Sequence, residues 1–264
     1  MMRSPGAAFD LRVALVEEVQ SAAEIFESNP TKPKTIHRCR IALKRARALA
    51  AVGSVSAPGL AEVFNDGARA IMRTLGRARQ DWALEQSARA FGANVSKSAR
   101  RELSELAERV EAFQRTAQPV NAEAVRAGLK DLLAIAYVWP DASPRQVERG
   151  ARRLVRRARK VWRRARKAEG DIRHSWRKRE KARLYAALLL GKAWPQEIPR
   201  RRKRNAKLAD LLGRERDLTL VMDRLHKDWP QEGQHRGLRE LHKLQKRLFR
   251  RSSKLGRRVH ANGA

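Results

Sequence analysis

His37, Arg40, Lys44 and Arg47 follow one another at three- or four-residue intervals. That spacing stacks side chains on one face of an α-helix. At about 100° per residue the four fall within an arc of roughly 80°. Arg45 adds a cation on the flank of the same turns. His174, Arg177, Lys178, Lys181 and Tyr185 form a second stripe, within roughly 100° by the same arithmetic. A third stripe is all arginine: Arg152, Arg156, Arg159, Arg163 and Arg166 lie within about 80° of one another. Arg204, Lys207 and Arg216 follow further along the chain. The planar guanidinium fork makes bidentate, charge-assisted hydrogen bonds to phosphate oxygens. An imidazole can donate to phosphate and is ordinarily part-charged near neutral pH. Cations every three or four residues, at 1.5 Å rise per residue, stand about 5 Å apart. An extended phosphate chain has a similar spacing of negative charges, and so does the backbone of single-stranded RNA.

A basic helix face is ordinarily a solvated one. Such a face mixes signs, because opposite charges one turn apart stabilise a helix and like charges destabilise it. Between Arg149 and Lys167 the chain has no acidic residue, while Arg153, Arg157, Lys160, Arg164 and Lys167 widen the basic side. Leu154, Val155, Ala158, Val161, Trp162 and Ala165 occupy the other side, so the segment is a core-forming helix and not a basic tail. Local stability has been given up for positive field.

The stripes belong to a duplication. His37, Arg40 and Lys44 recur as His174, Arg177 and Lys181, each 137 positions later. Leu75-Gly76-Arg77 with Arg79 recurs as Leu212-Gly213-Arg214 with Arg216 at the same offset. Seven identities in two motifs at one offset imply two related units. We divide the chain into a first unit over 7–120, a linker or extra helix over 121–142 and a second unit over 143–262, within one domain spanning 7–262.

The 264 residues include 60 Lys+Arg against 28 Asp+Glu, a net charge of +32. Residues 1–137 contribute +6 and the remainder +26, so the second unit dominates long-range attraction. A 42% hydrophobic share excludes a disordered basic tail. The single cysteine, Cys39, allows neither an intramolecular disulfide nor a zinc cluster and fits a reducing compartment. Asp10, Glu17 and Glu18 interrupt the start where a signal peptide needs an apolar run. Apolar runs such as Leu132–Trp139 are too short to span a bilayer. The expected compartment is the cytoplasm.

Ala, Leu, Arg, Lys and Glu dominate, and alternating β-branched runs are rare. The pattern predicts an all-α fold with helices near 7–28, 32–52, 59–92, 97–117, 121–138, 144–168, 171–191, 200–228 and 235–260. Ser143-Pro144-Arg145-Gln146 reads as a capping box with proline at the first helical position.

These motifs resemble the CHAD domain family, which places a histidine ahead of basic residues at i+3, i+7, i+8 and i+10. His37, Arg40, Lys44, Arg45 and Arg47 stand at those positions. A second family motif, a histidine followed by basic residues with tyrosine at i+11, is matched by His174, Arg177, Lys178, Lys181 and Tyr185. The family's Leu-Gly-x-x-Arg-Asp turn is matched by Leu212 to Asp217; in the first unit Gln80 holds the aspartate position and Asp81 follows. Leu184 stands where many members have arginine. The resemblance covers roughly residues 7–260. It implies two four-helix bundles related by a pseudo-twofold axis, with a basic groove between them. It also implies binding of inorganic polyphosphate and, for bacterial members, association with polyphosphate granules.

A binder, and not an enzyme, is expected. There is no Gly-x-x-x-x-Gly-Lys phosphate loop, no acidic strand motif of the triphosphatase kind and no metal-ligand spacing, and no cofactor is implied. Phosphoryl transfer ordinarily needs a cation or a positioned base besides Arg and Lys. A non-specific nucleic-acid binder is the rival reading. It calls for exposed aromatics among the basic residues. Trp162 falls on the apolar side of its helix, which favours core packing. An anionic-membrane scaffold ranks last, because the stripes lack an exposed bulky apolar face.

Overall fold

The computed structural model describes residues 9–116, 120–168, 170–198, 201–228 and 236–260, without the side chains of residues 77–79, 115, 116 and 236. Among the described residues there are ten α-helices and no strand. They are α1 (Leu11–Ser28), α2 (Pro33–Gly53), α3 (Pro58–Thr74), α4 (Gly76–Gly92), α5 (Lys97–Thr116), α6 (Ala122–Tyr137), α7 (Pro144–Ala165), α8 (Asp171–Leu189), α9 (Arg202–Asp228) and α10 (Arg236–His260). A single 3₁₀ turn, Gly191–Ala193, follows α8. The fold is all-α, as the composition and periodicity predict.

Local chemistry sets the helix starts. The Asp10 carboxylate accepts from the Val13 N–H at 3.0 Å, which fixes the start of α1 four residues later than its pattern suggests. Asn121 does the same for α6 through the Ala124 N–H. The α7 capping box forms in both directions: Ser143 N–H donates to Gln146 Oε1 at 2.8 Å, and Gln146 N–H donates to Ser143 Oγ at 3.3 Å.

The pattern over 59–92 predicts one helix, and the structure has two. Leu75, with ψ at 0°, ends α3, and Gly76 opens α4. The reason lies in packing. α3 lies against α2 and α6, whereas α4 lies against α5 and α9. One straight helix cannot serve both sets of neighbours. At the matching point of the second unit, Leu212-Gly213, α9 runs on unbroken.

Two large apolar cores result. Leu15, Phe26, Leu43, Phe64 and Trp139 centre the first, which joins α1, α2, α3 and α6 and continues onto α7 and the end of α8. Leu84, Leu103, Leu106, Leu218 and Leu241 centre the second, which joins α4 and α5 of the first unit to α9 and α10 of the second. Full burial of such a side chain is worth about 1.5–3 kcal/mol. The extra helix over 121–138 is α6, and it completes the first four-helix group. A smaller core of Trp162, Trp176, Leu208, Leu212 and Val259 ties the ends of α7 to α10.

Helices that share the 137-residue offset lie against one another: α2 against α8, α4 against α9, and α5 against α10. The approach of α7 to α2 is very close. A Cβ on Gly150 would stand 2.2 Å from the Val52 carbonyl oxygen, so only glycine fits there. None of the helices is long and apolar enough to cross a membrane, among the described residues.

Candidate functional site

The second stripe is gathered by two helices, α8 and α9. On α8, His174, Arg177, Lys181 and Tyr185 are half-buried and Lys178 is exposed. α9 packs alongside and contributes Arg216, Asp210 and Asp217. Burial pushes the His174 imidazole down to about 4, helped by Lys178, Arg216 and Arg177 and opposed by Asp171. The expectation of a part-charged histidine is thereby corrected. Near neutral pH His174 is neutral, because its partial burial disfavours the charged form and three cations crowd it. Lys181 is also lowered, by burial and then Arg177, while Asp210 and Asp217 oppose the shift. Burial raises the Tyr185 phenol, against the pull of Arg177 and Arg45.

That last pairing joins the two units. Arg45 belongs to α2 and Arg177 to α8, and both act on Tyr185. Arg45 also donates to Glu18 of α1 at 2.6 Å. Nearer the start of α2, His37 lies beside Trp82 of α4, ring centres 5.5 Å apart and tilted by 50°. Arg40 donates to the Met72 carbonyl at the end of α3. Met72 borders a concavity of about 560 Å³ shared with Arg73, Gly76, Gln80, Asp81, Phe113 and Arg224. Lys44, further along α2, is half-buried. Each histidine therefore sits beside its own unit's Leu-Gly segment: His37 next to α4, His174 next to α9.

The remaining candidates divide. Arg47 turns away from Arg45, donates to Asn65 of α3 at 3.0 Å, and feels Arg69 and Arg179. Arg152 is occupied by two carboxylates, Glu148 at 2.6 Å and Glu197 from the segment after α8. The acid-free run in the sequence conceals both partners, one lying just before it and the other 30 residues beyond its end at Lys167. Arg156 lines a separate concavity, described below. Arg166 lies over the Trp162 ring at 5.9 Å. Arg159 is half-buried, Arg163 is exposed, and Arg204 and Lys207 are exposed on the first turns of α9. The side chains of Arg77 and Arg79 lie outside the described residues.

Sequence reasoning missed the groups that hold the stripe in place. Arg173, next to His174, and Glu215, next to Arg216, form a buried fork: Nε to Oε2 at 2.7 Å and Nη2 to Oε1 at 2.8 Å. Arg173 also donates to the Ala165 carbonyl at 3.0 Å and to Ser252 Oγ at 2.5 Å. This clamp fixes α8 against α7, α9 and α10. A second buried set lies one turn on. Glu180 accepts from Trp176 Nε1 at 2.9 Å, lies 2.9 Å from Arg183 Nη2 and 2.6 Å from His260 Nε2, and Arg183 reaches Asn205 at 2.7 Å. A usable signal existed. The first-unit counterparts of Arg173, Trp176, Glu180, Arg183 and Asn205 at the 137 offset are Ile36, Cys39, Leu43, Ala46 and Ala68, all apolar. A charged residue aligned with a core position is a buried one.

Trp162 and Trp176, the two tryptophans among the α7 and α8 basic residues, are 8% and 0% exposed and form part of the core. Among the described residues, no group of three or more His, Cys, Asp or Glu could hold a metal ion.

Comparison with known proteins follows the same lines. The model of the family described as CHAD domain matches residues 14–226. A crystal structure of the CHAD domain from the plant Ricinus communis is similar to this fold, with a TM-score of 0.65 and 17% identity, covering 100% of this chain and 97% of that one. No curated protein matches.

Proposed function

The chain belongs to the CHAD domain family, and from that membership and the site geometry we propose that it binds inorganic polyphosphate, without catalysing a reaction on it. The observation that carries the reading is the packing of α2 against α8, with Arg45 of the one and Arg177 of the other both acting on Tyr185. That packing supports reading the two stripes as one track. Along it, His174, Arg177, Lys181 and Arg216 provide donors from two helices, and the Arg173–Glu215 clamp fixes their spacing. The packing of related helices against one another supports a trough shared by the two units on a pseudo-twofold axis.

The ligand is read from what the track offers. It has many forked and point cations for phosphate oxygens. The tryptophans of α7 and α8 are buried, so they are not available for base stacking. A polymer of phosphates without bases is the better fit, with weak, non-specific nucleic-acid binding as the consequence of charge alone. In the cell such a protein would lie at cytoplasmic polyphosphate granules.

A competition binding assay at two salt concentrations tests the reading. Long-chain polyphosphate is expected to displace single-stranded DNA of equal charge, and both affinities should fall steeply with salt. Equal affinities at both salt concentrations would reduce the site to a generic polycation.

A further inference from the structure

A second basic track runs on the other side of the α2–α8 pair. Arg45 and Arg177 act on Tyr185; two residues further along each helix stand Arg47 and Arg179. A two-residue step turns a helical side chain by about 200°, to the opposite flank. Arg179 acts on Arg47 there, and also on Arg157 of α7. Arg157 neighbours Arg153, and Arg153 shares a concavity of about 310 Å³ with Arg149, Arg156, Ser54 and Val55. Starting from Arg69 on α3, like charges thus pass from helix to helix across α2, α8 and α7.

Three features separate this track from an ordinary solvated face. Asp66, the carboxylate acting on Arg47, is itself paired with Arg69 at 2.6 Å. Arg149, Arg153 and Arg156 are exposed, yet they converge on one depression instead of spreading apart. Clustered like charges cost stability unless something compensates. The depression also lies at the carboxyl end of α2, where free carbonyls would repel an anion. Two of those carbonyls are occupied: Ser54 Oγ donates to Ala51 at 2.9 Å, Ser56 Oγ to Gly53 at 3.0 Å, and the Ala57 N–H also to Gly53 at 3.0 Å.

We propose that Arg149, Arg153 and Arg156 form a second phosphate-binding site, extended by Arg157, Arg179 and Arg47, that takes a short run of linked phosphates independently of the His174 face. It rests on the reading above in taking phosphate as the ligand; none of its residues lies on the His174 face, and Arg47 and Arg156, which the sequence groups with the other stripes, are assigned here instead. Three convergent guanidinium forks suit tetrahedral phosphate oxygens. The concavity is at the small end of ligand sites, so a few phosphate units fill it. With a site on each side, one long polymer can engage both faces or bridge two molecules, which raises avidity without new contacts.

Calorimetric titration with inorganic tripolyphosphate tests it. The full chain is expected to bind two tripolyphosphates. R149Q/R153Q/R156Q, all at exposed positions, should retain one, with the affinity of the remaining site unchanged. R177A/K181A should retain the other. Wild-type chain binding only one tripolyphosphate, lost in R177A/K181A and kept in R149Q/R153Q/R156Q, overturns the second site and leaves the first reading in place. The reverse pattern overturns the first reading and leaves the second site. A matched loss in R247Q/R250Q/R251Q on α10 also overturns the second site, since net charge alone would then explain it.

Discussion

Arg177 lies across Gly213: its Nε is 3.9 Å from the point where a Cβ on that glycine would stand. The two motifs of the second unit, 36 residues apart in the chain, therefore touch. Gly213 is a helix-interior residue of α9, where glycine costs about 0.5–1 kcal/mol relative to alanine. Its retention makes sense as a seat for the Arg177 side chain.

Gly213 substitutions should accordingly split. A single methyl meets Arg177 at ordinary contact distance, so G213A is expected to stabilise the fold by about 0.5–1 kcal/mol and leave polyphosphate affinity intact. The longer side chain of G213L reaches over the place of the guanidinium and should displace it, weakening binding severalfold. Thermal denaturation and a polyphosphate titration on both variants check this. Equal affinity for the two variants would remove Gly213 from the site.

Glu180 is 1% exposed and serves Trp176, Arg183 and His260 together. Burial alone would raise its carboxyl; Arg183, His260 and the Trp176 N–H more than reverse that and hold it below its ordinary value. A lowered carboxylate stabilises the fold fully above its unfolded pKa of 4.5, and that stabilisation is lost as pH falls through the lower folded value. E180Q strands the buried Arg183 cation with Asn205, and should cost about 3–5 kcal/mol at neutral pH. Its stability should also be flatter between pH 7 and 3 than that of the wild type. Urea unfolding at several pH values measures both.

Most helices, the α7 capping box and the polarity of each stripe were legible in the sequence, because they depend on neighbours within a turn or two. Three things were not. The break at Leu75 depends on α3 and α4 serving different cores, which local propensity does not encode. The partners of Arg45 and Arg47 depend on which helix lies on each flank of α2: α3 offers Asn65 on one side and α1 offers Glu18 on the other. The occupancy of Arg152 depends on Glu197, brought in from beyond α8. The buried Arg173 and Glu180 sets fall between these cases. They are invisible to helical periodicity but visible in the comparison of the two units, where Ile36 and Leu43 hold the equivalent places.

His174 should couple binding to pH. In the free protein it titrates near 4, against an ordinary value of 6.5. Because the folded value is depressed, the stability this neutral imidazole contributes is complete above 6.5 and lost as pH falls toward 4. A bound phosphate chain offsets the field of Lys178, Arg216 and Arg177, so the imidazole should titrate higher in the complex. Binding then takes up a proton, and affinity should rise as pH falls from about 6.5 toward 4. Nuclear magnetic resonance titration of the histidine signals with and without tripolyphosphate checks this. An unmoved His174 midpoint would place the ligand elsewhere.

The sharpest separation of a defined track from general positive charge compares two double variants. R177A/K181A and R250A/R251A each remove two cations, so the long-range field changes by the same amount. Arg250 and Arg251 are exposed on α10, whereas Arg177 sits against Gly213 and Lys181 stands among Arg177, Asp210 and Asp217. Hydrogen bonds to charged groups are worth about 1.5–3 kcal/mol each, so losing them at a preorganised position should weaken polyphosphate binding by about tenfold or more. The salt dependence carries the same information independently. Two lost phosphate contacts on a single-stranded polyanion should make the slope of log K against log salt shallower by about 1.4 in R177A/K181A. In R250A/R251A the slope should stay close to that of the wild type. Matching losses of affinity and slope in the two variants would mean that the polymer reads only the charge of the molecule and not the pairing of α2 with α8.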